Sequence, residues 1–236
     1  MFKEKKCIKL ADEIYVFKKY IPDNLIDKYL NIMNSYSPSE FEYKENFIEW
    51  YDHHLSPVNL NFIDLWEHVS ELVYPDYYIN PQTQMIRSVP GQDGMFPHCD
   101  SPGFGESEML TQADYYKTCS IIDYGVVSYL GDFSGGEIFY HRITKDGKES
   151  DIHLEESEFL TYKPESGDVI IHSAYAPYYH GTKPVISGTR YAYSCFATAE
   201  KNFPNTYFKY KSKEYLENIK DRSEESLMKW YRPRNN

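Results

Sequence analysis

Four residues of this sequence have types and spacings that suit metal chemistry. His98 and Asp100 stand two positions apart, and His180 and Arg190 follow far downstream, ten positions from each other. Two imidazoles and one carboxylate can occupy one face of an iron(II) ion and leave three coordination positions open. A guanidinium presents a planar fork of donors, which suits the far carboxylate of an organic diacid bound at those open positions. The four residues together predict a ferrous site that also binds an organic acid.

The spacing of His98 and Asp100 is typical of the end of a strand. Successive strand side chains point to opposite faces, so these two side chains can point together while Cys99 points away. The pattern alone is weak, because the same spacing of a histidine and an acid recurs at His153 and Glu155. That second pair lies in an acidic segment that we expect to be exposed, and it lacks a downstream arginine at a matching distance.

Three histidines could supply the remaining imidazole: His141, His172 and His180. His172 follows an apolar run at 169–171, a context that favours a structural histidine whose hydrogen bonds are satisfied. His180 lies in a segment with glycine at 181 and 188, where a turn would bring Arg190 back beside the metal. His180 is therefore the preferred ligand, and the other two remain alternatives.

The elements that must position these residues divide the chain into helical ends and a strand-rich middle. Near the N-terminus the pattern predicts a strand over 14–21 and a helix that Asp23 or Asn24 caps and that runs through Met33. A second helix is predicted from about 57 to 73. The segment 208–231 reads as one or two charged helices.

From about residue 79 the sequence changes to short alternating runs broken by Gly, Pro, Asn and Asp. Strands are predicted at 79–88, 118–130, 136–142, 157–162, 168–173, 184–187 and 190–197. Many short strands separated by turn signals favour a sandwich or jelly roll. Glycines at 135–136 and 188 are predicted to form tight turns before core strands. The polar stretch 101–117 is long for a hairpin loop and predicts a lid or substrate loop.

Several ordered motifs within about residues 80–197 resemble the 2-oxoglutarate/iron(II) dioxygenases, specifically their prolyl-4-hydroxylase-like branch. The matching segments are PHCD at 97–100, YLGD at 129–132, GGE at 135–137, Pro164, SGDVIIH at 166–172, His180 and GTRY at 188–191. The resemblance implies a mainly β protein with flanking helices and a double-stranded β-helix (jelly-roll) core. It implies one domain over 1–236, with helical support at about 1–75, the core at about 79–198 and a charged helical tail at about 200–236.

The same resemblance implies an iron(II) ion held by His98, Asp100 and His180. It implies 2-oxoglutarate as co-substrate on the iron, with Arg190 binding its 5-carboxylate, and dioxygen as the oxidant, with ascorbate as an accessory reductant. Tyr129 matches the position that, in the members acting on oxygen-sensing factors, adds a phenol hydrogen bond to that carboxylate. Collagen-type members use an upstream tyrosine instead, and the corresponding residue here is Ser88, which departs from their pattern.

The implied reaction is hydroxylation of an aliphatic C–H, with a prolyl residue in a peptide or protein as the first expectation. Only analogy within the fold supports proline, so a free amino acid or a small metabolite is an alternative substrate. Outside the enzymes, the alternative is a non-catalytic jelly-roll binding protein.

Charge and composition limit the partners. The chain carries 36 Asp/Glu against 25 Lys/Arg, and residues 201–236 hold nine basic and five acidic side chains, which leaves about −15 on the first 200 residues. This negative charge on the first 200 residues would repel a phosphate backbone, which argues against nucleic acid as a partner. No apolar run is long enough to span a bilayer, and four cysteines without metal-site spacing suit a reducing compartment. We therefore expect a cytoplasmic protein that acts on a peptide, a protein or a small molecule, without a membrane partner.

Overall fold

A computed structural model gives the structure of the protein. It describes residues 7–34, 42–44, 48–54, 65–66, 68–69, 72–73, 77–100, 123–152 and 154–199. The predicted loop at 101–117 and the predicted tail helices at 208–231 lie outside the described residues. Of the predicted helix at 57–73, the six residues that are described are all helical.

The described chain is mostly β-structure. Its strands are β1 (Cys7–Ala11), β2 (Ile14–Phe17), β3 (Glu42–Lys44), β4 (Ile48–His54), β5 (Tyr77–Ser88), β6 (Tyr124–Leu130), β7 (Phe133–Gly135), β8 (Ile138–Thr144), β9 (Phe159–Tyr162), β10 (Val169–Ser173), β11 (His180–Thr182), β12 (Val185–Gly188) and β13 (Arg190–Ala199). Helix α1 spans Asp23–Met33, and a short 3-10 helix lies at Glu156–Glu158. None of the helices in the described part of the chain has the length and apolar character that a membrane span requires.

The strands form one large sheet and two small ones. The large sheet has the order β1-β2-β10-β6-β13-β5-β4-β3, and the small sheets are β11-β8-β9 and β12-β7. The β10, β6 and β13 strands that carry site residues lie side by side and antiparallel at the centre of the large sheet. This order joins strands that are remote in sequence, as the jelly-roll expectation requires.

Each central strand of the large sheet divides its side chains between two cores, because strand side chains alternate. On one face, Val126, Val169 and Tyr193 are fully buried among residues of α1 and of the 65–73 segment. On the other face, Ile170 and Tyr129 pack against residues of β8 and β9, which belong to the smaller sheet. The second core, between the sheets, is the one that contains the candidate site.

Helix α1 covers the outer face of the large sheet. The helix begins at Asp23, so the predicted cap residue is its first helical residue, and the N–H groups of Leu25 and Ile26 donate to the carbonyl of Pro22 at 2.9 and 3.1 Å. Its apolar residues recur at helical spacing, and Tyr29 stacks on Tyr193 of β13 with ring centroids 4.8 Å apart. This packing supports the sheet from behind, opposite the site.

The predicted strands within the described ranges are present, with ends that differ by a few residues. The predicted strand at 14–21 ends instead at Phe17, because the chain turns at Lys19, which has a φ of +46° and donates its N–H to Asp168 at 2.8 Å. Five strands had no sequence prediction: β1, β3, β4, β7 and β11. Three of them are only three residues long, too short for alternation to be visible.

The glycine turns are confirmed. Gly135, Gly136 and Gly188 have φ values of +76°, +67° and +76°, a region of backbone space that favours glycine. Gly188 lies two residues before Arg190 and ends β12, so the turn sets where the arginine enters the sheet.

Candidate metal centre

The inner face of the large sheet collects the polar residues of the site. Gly125 and Tyr129 share this face of β6 by alternation, and His172 shares the corresponding face of β10 with Ile170. The register places His172 directly opposite Gly125. The sheet therefore brings a histidine, a glycine and a tyrosine from separate sequence motifs onto one interior surface.

Backbone pairing joins the segment that carries His98 to the strand that carries His180. The N–H of each residue donates to the carbonyl of the other at 2.9 Å, an isolated antiparallel bridge. The two imidazole centroids lie 4.5 Å apart. Backbone hydrogen bonds thus hold the two segments that carry these histidines side by side.

Asp100 completes a cluster of three metal-ligand types. One donor atom from each of His98, Asp100 and His180 lies within 4.8 Å of the others. The Oδ1 atom of Asp100 is 3.7 Å from Nε2 of His98 and 3.8 Å from Nε2 of His180. The structure therefore brings together the three residues that the sequence analysis selected, and it joins His180, rather than His141, to the pair.

The hydrogen bonds of the two histidines leave the correct nitrogen free for a metal. Nδ1 of His98 lies 2.9 Å from the carbonyl of Phe96, and Nδ1 of His180 lies 3.2 Å from the carbonyl of Tyr178. A carbonyl only accepts, so each Nδ1 carries the proton in these bonds and each Nε2 keeps its lone pair. Both lone pairs are on the side of Asp100. Such Nδ1 bonds to backbone are usual for metal-binding histidines.

Burial keeps the imidazole of His180 neutral. Loss of solvent lowers its pKa from 6.5 to about 4, although Asp100 raises it in the opposite direction. At neutral pH the ring is therefore unprotonated, which is the form that binds a metal. The donor set, the tautomers and the protonation state all fit a divalent transition metal such as iron(II).

Arg190 is a buried cation on the same interior. Only 1% of its surface is exposed, and its Nη1 donates to the carbonyl of Gly136 at 2.7 Å while Nη2 donates to Ser88 at 3.2 Å. Its Nε has no hydrogen-bond partner, and no described carboxylate lies within ion-pairing distance of the guanidinium. The Glu137 carboxylate acts on the guanidinium only from beyond ion-pairing distance. A buried charge without a paired carboxylate is costly, so this arrangement suits an anionic ligand.

Thr182 links the arginine to the metal-ligand cluster. Arg190 Nη2 makes a long contact of 3.5 Å to the Thr182 hydroxyl, and that hydroxyl also accepts from the N–H of Met95 at 3.1 Å. Thr182 lies two residues after His180 on β11. Residues two apart on a strand share a face and are separated by roughly 6.6 Å along it. The guanidinium therefore contacts the same face of β11 that carries His180.

Gly136 allows the arginine to lie so close to the backbone. A Cβ at this position would be 3.1 Å from both Cδ and Nη1 of Arg190, tighter than ordinary contacts. The glycine thus has two structural roles, a turn with positive φ and a close approach of the guanidinium to a carbonyl.

Tyr129 lies on the same interior and is 1% exposed. Burial raises its pKa to about 12, and the Arg190 guanidinium opposes that rise. The phenol is therefore protonated at neutral pH and is electrostatically coupled to the arginine. Tyr129 also belongs to the core between the sheets, so its packing and its position near Arg190 are compatible.

Sequence reasoning missed the surroundings of Asp100. Nε2 of His172 lies 3.6 Å from the second carboxylate oxygen, Oδ2, and Nδ1 of His172 is 2.9 Å from the hydroxyl of Tyr140. His172 has a partner at Nδ1, as expected of a structural histidine, whereas its buried Nε2 has no hydrogen-bond partner. Alternation on β10 could have identified His172 as inward-facing, but nothing in the sequence places it beside Asp100.

Comparison with known proteins finds similarity in structure only. No protein-family model matches the sequence, and no curated protein matches it. Solved structures do match with probability 1.00, at 11–16% identity among the leading ones.

Three of these structures illustrate the range. A prolyl hydroxylase from Trichoplax adhaerens, in complex with a peptide fragment of hypoxia-inducible factor, matches with a TM-score of 0.56 at 13% identity over 83% of this chain and 87% of its own. HygX from Streptomyces hygroscopicus, with nickel and 2-oxoglutarate bound, matches with a TM-score of 0.55 at 12% identity over 79% of this chain and 83% of its own. HygX has also been solved with hygromycin B. The collagen prolyl hydroxylase of Paramecium bursaria Chlorella virus-1, as its 2-oxoglutarate complex, matches with a TM-score of 0.51 at 15% identity over 80% of this chain and 96% of its own.

These likenesses establish the fold. The chain has the jelly-roll fold of the 2-oxoglutarate- and iron(II)-dependent oxygenases, as the motifs predicted.

Proposed function

We propose that this protein is a 2-oxoglutarate- and iron(II)-dependent dioxygenase that hydroxylates an aliphatic C–H bond. One observation carries the proposal. A convergent His98, Asp100 and His180 cluster lies on the same interior of a jelly-roll fold as a buried Arg190 that no described carboxylate pairs at contact distance. Neither feature alone requires a co-substrate, but together they match a metal with open positions and an anion bound beside it.

The three clustered residues would hold the metal, and the protein supplies geometry around it. Nε2 of His98, Nε2 of His180 and Oδ1 of Asp100 would be the ligands. When bound, iron(II) supplies the activation of dioxygen, coupled to the oxidative decarboxylation of 2-oxoglutarate to succinate. The Nδ1 bonds to backbone carbonyls keep both imidazoles oriented and in the metal-binding tautomer.

Arg190 would bind the 5-carboxylate of 2-oxoglutarate. Its side chain is held by Gly136 and Ser88, so the fork is ordered before the ligand arrives. Tyr129, protonated and coupled to the arginine, would donate a second hydrogen bond to the same carboxylate. This division of roles is the one implied by the resemblance, with Ser88 acting on the arginine where collagen-type members have a tyrosine.

A prolyl residue in a peptide or protein is the substrate that we propose first. Two of the structural neighbours are prolyl hydroxylases, one of them solved with a peptide. On this chain, Phe96 is 65% exposed and lies two residues before His98, so it offers an aromatic surface at the edge of the site. Aromatic faces suit a pyrrolidine ring.

A small-molecule substrate is the second candidate, because HygX has been solved with hygromycin B in the same fold. The two candidates predict different saturation behaviour. A peptide substrate should depend on residues that flank the reacting one, whereas a small metabolite should saturate the enzyme by itself.

The test begins with anaerobic titration of iron(II) and 2-oxoglutarate into the purified protein. We expect a visible metal-to-ligand charge-transfer band, followed by slow succinate formation when oxygen is admitted without substrate. The Asp100→Ala variant should show neither. Proline-containing peptides and small metabolites can then be screened for faster succinate release with matching product. A folded wild-type protein that gives neither band nor succinate would instead be a jelly-roll binding protein without catalytic activity.

A further inference from the structure

Asp100 contacts two different partners through its two carboxylate oxygens. Oδ1 lies 3.7 and 3.8 Å from the Nε2 atoms of His98 and His180. The contact with His172 is made instead by Oδ2, which lies 3.6 Å from its Nε2. The carboxylate thus has one oxygen on the side of the metal ligands and the other on the side of a fourth histidine.

His172 is held in place by groups that belong to neither the metal set nor the co-substrate set. It is fully buried on β10, and its Nδ1 lies 2.9 Å from the hydroxyl of Tyr140 on β8. Its Nε2 is buried without a hydrogen-bond partner. A buried ring nitrogen without a hydrogen bond is costly. A small shift of either side chain would complete a bond from Nε2 to Oδ2 of Asp100, which lies 3.6 Å away.

Gly125 provides the space in which the histidine and the carboxylate meet. A Cβ at this position would lie 2.6 Å from Asp100 Oδ2 and 2.6 Å from His172 Nε2, closer than real Cβ atoms come. Gly125 is opposite His172 in the register of β6 and β10. Any larger residue would occupy the gap between the two groups, so the sheet keeps that gap open.

We propose that His172 is a positioning residue, whose Nε2–H donates to Asp100 Oδ2 and so leaves Oδ1 free to bind the metal. In this arrangement the Tyr140 hydroxyl donates to Nδ1, and the single proton of the neutral ring is on Nε2. The opposite arrangement would aim an Nε2 lone pair at a carboxylate oxygen, which is repulsive. Tyr140, His172 and Asp100 then form a chain of hydrogen bonds from the smaller sheet to the metal centre. Hydrogen bonds of this kind orient the side chains that bind metals.

This inference rests on the proposed metal site, so its test measures metal affinity as well as activity. Cobalt(II), which is not oxidised by air under the conditions of the titration, is bound to purified wild type and to three variants: His172→Phe, His172→Gln and Tyr140→Phe. Phenylalanine retains a ring but removes the N–H, whereas glutamine retains a donor at a similar reach. The dissociation constant, the visible spectrum of bound cobalt and the urea-unfolding free energy of the metal-free proteins are recorded.

We expect His172→Phe to weaken cobalt binding by roughly 10- to 100-fold and to alter the cobalt spectrum. His172→Gln should restore most of the cobalt affinity. Tyr140→Phe should weaken cobalt binding less than His172→Phe does, because the His172 ring keeps its Nε2–H but loses the hydrogen bond that favours this tautomer. Metal-free His172→Phe should be less stable than wild type, because the buried Tyr140 hydroxyl then has no partner.

Two results would overturn the inference while leaving the proposed function standing. One is unchanged cobalt affinity and spectrum in His172→Phe, with or without lower stability, which would make His172 structural. The other is equal loss in His172→Phe and His172→Gln together with loss of one nitrogen ligand from the cobalt spectrum, which would make it a fourth ligand. If wild type itself binds no cobalt or iron, the metal site and this inference both fail.

Discussion

His98 and His180 are joined by a reciprocal pair of backbone hydrogen bonds, each 2.9 Å long. The pair connects the segment before Asp100 to β11 and sets the two imidazole centroids 4.5 Å apart. The backbone bridge therefore fixes how far apart the two segments that carry the histidines lie.

Replacing any of the three clustered residues should abolish metal-dependent succinate formation. The His98→Ala, Asp100→Ala and His180→Ala variants each remove one of the three protein ligands, so iron should dissociate. Iron content by elemental analysis and succinate release in the presence of 2-oxoglutarate test this. His180 is buried, so His180→Gln is measured as well, in case the alanine variant does not fold.

The matched control for these variants is Glu155→Ala. Glu155 belongs to the second histidine–acid pair of the sequence, and it is exposed. Wild-type iron content and succinate release are expected. Full activity in His180→Gln with bound iron would show that a different histidine completes the site.

The Arg190→Lys variant should raise the apparent KM for 2-oxoglutarate by roughly 10- to 100-fold, the equivalent of losing one charge-assisted hydrogen bond. Lysine keeps the charge but cannot reproduce the fork that Gly136 and Ser88 hold. Initial rates against 2-oxoglutarate concentration give the value. Arg142→Lys is the control, because Arg142 contacts the Tyr179 ring at 5.0 Å outside the site. An unchanged KM in Arg190→Lys would place the co-substrate carboxylate elsewhere.

The Tyr129→Phe variant should raise the apparent KM for 2-oxoglutarate by roughly five- to tenfold, about 1 kcal/mol for one hydrogen bond. Because the pKa of the phenol is raised to about 12, the hydroxyl remains a donor across the working pH range. Tyr193→Phe, on the opposite face of the large sheet against α1, serves as the control. If both variants behave as wild type towards 2-oxoglutarate, Tyr129 is a core aromatic and no more.

The stability of the metal-free protein should fall as pH falls from about 6.5 towards 4. The pKa of His180 is about 4 in the fold against 6.5 for the ordinary group, so the unfolded chain binds the proton more strongly. The free energy of unfolding is highest above pH 6.5, and protonation of His180 lowers it by about 3 kcal/mol. Burial also lowers the pKa of His172, which adds to the loss in the same direction. Urea unfolding with a chelator, over that pH range, measures the effect.

His180→Gln is the matched variant for this pH series, and its free energy of unfolding should depend less on pH. An equal slope in both proteins would assign the pH dependence to other groups. With iron bound, wild type should resist acid further, because the metal competes with the proton for Nε2.

Much of the fold was predictable because its signals are local. Alternation and turn residues predicted strands close to those at β5, β8, β9, β10, β12 and β13, and helical spacing with an N-terminal acid predicted α1. The glycine turns were predictable for the same reason, since a positive φ is a property of a single residue. The three-residue strands were not, because their pairing depends on partners from distant parts of the chain.

The sequence by itself determined which residue types could form the site: the histidine and acid of 98–100, a distal histidine and an arginine ten positions later. It also determined which side chains share a face, because alternation is built into a strand. Only the tertiary structure decided that His180, with its backbone paired to His98, joins Asp100, and that His172 meets the other oxygen of that carboxylate. Those choices depend on strand order and register, which arise from packing between segments remote in sequence, and no local pattern encodes them.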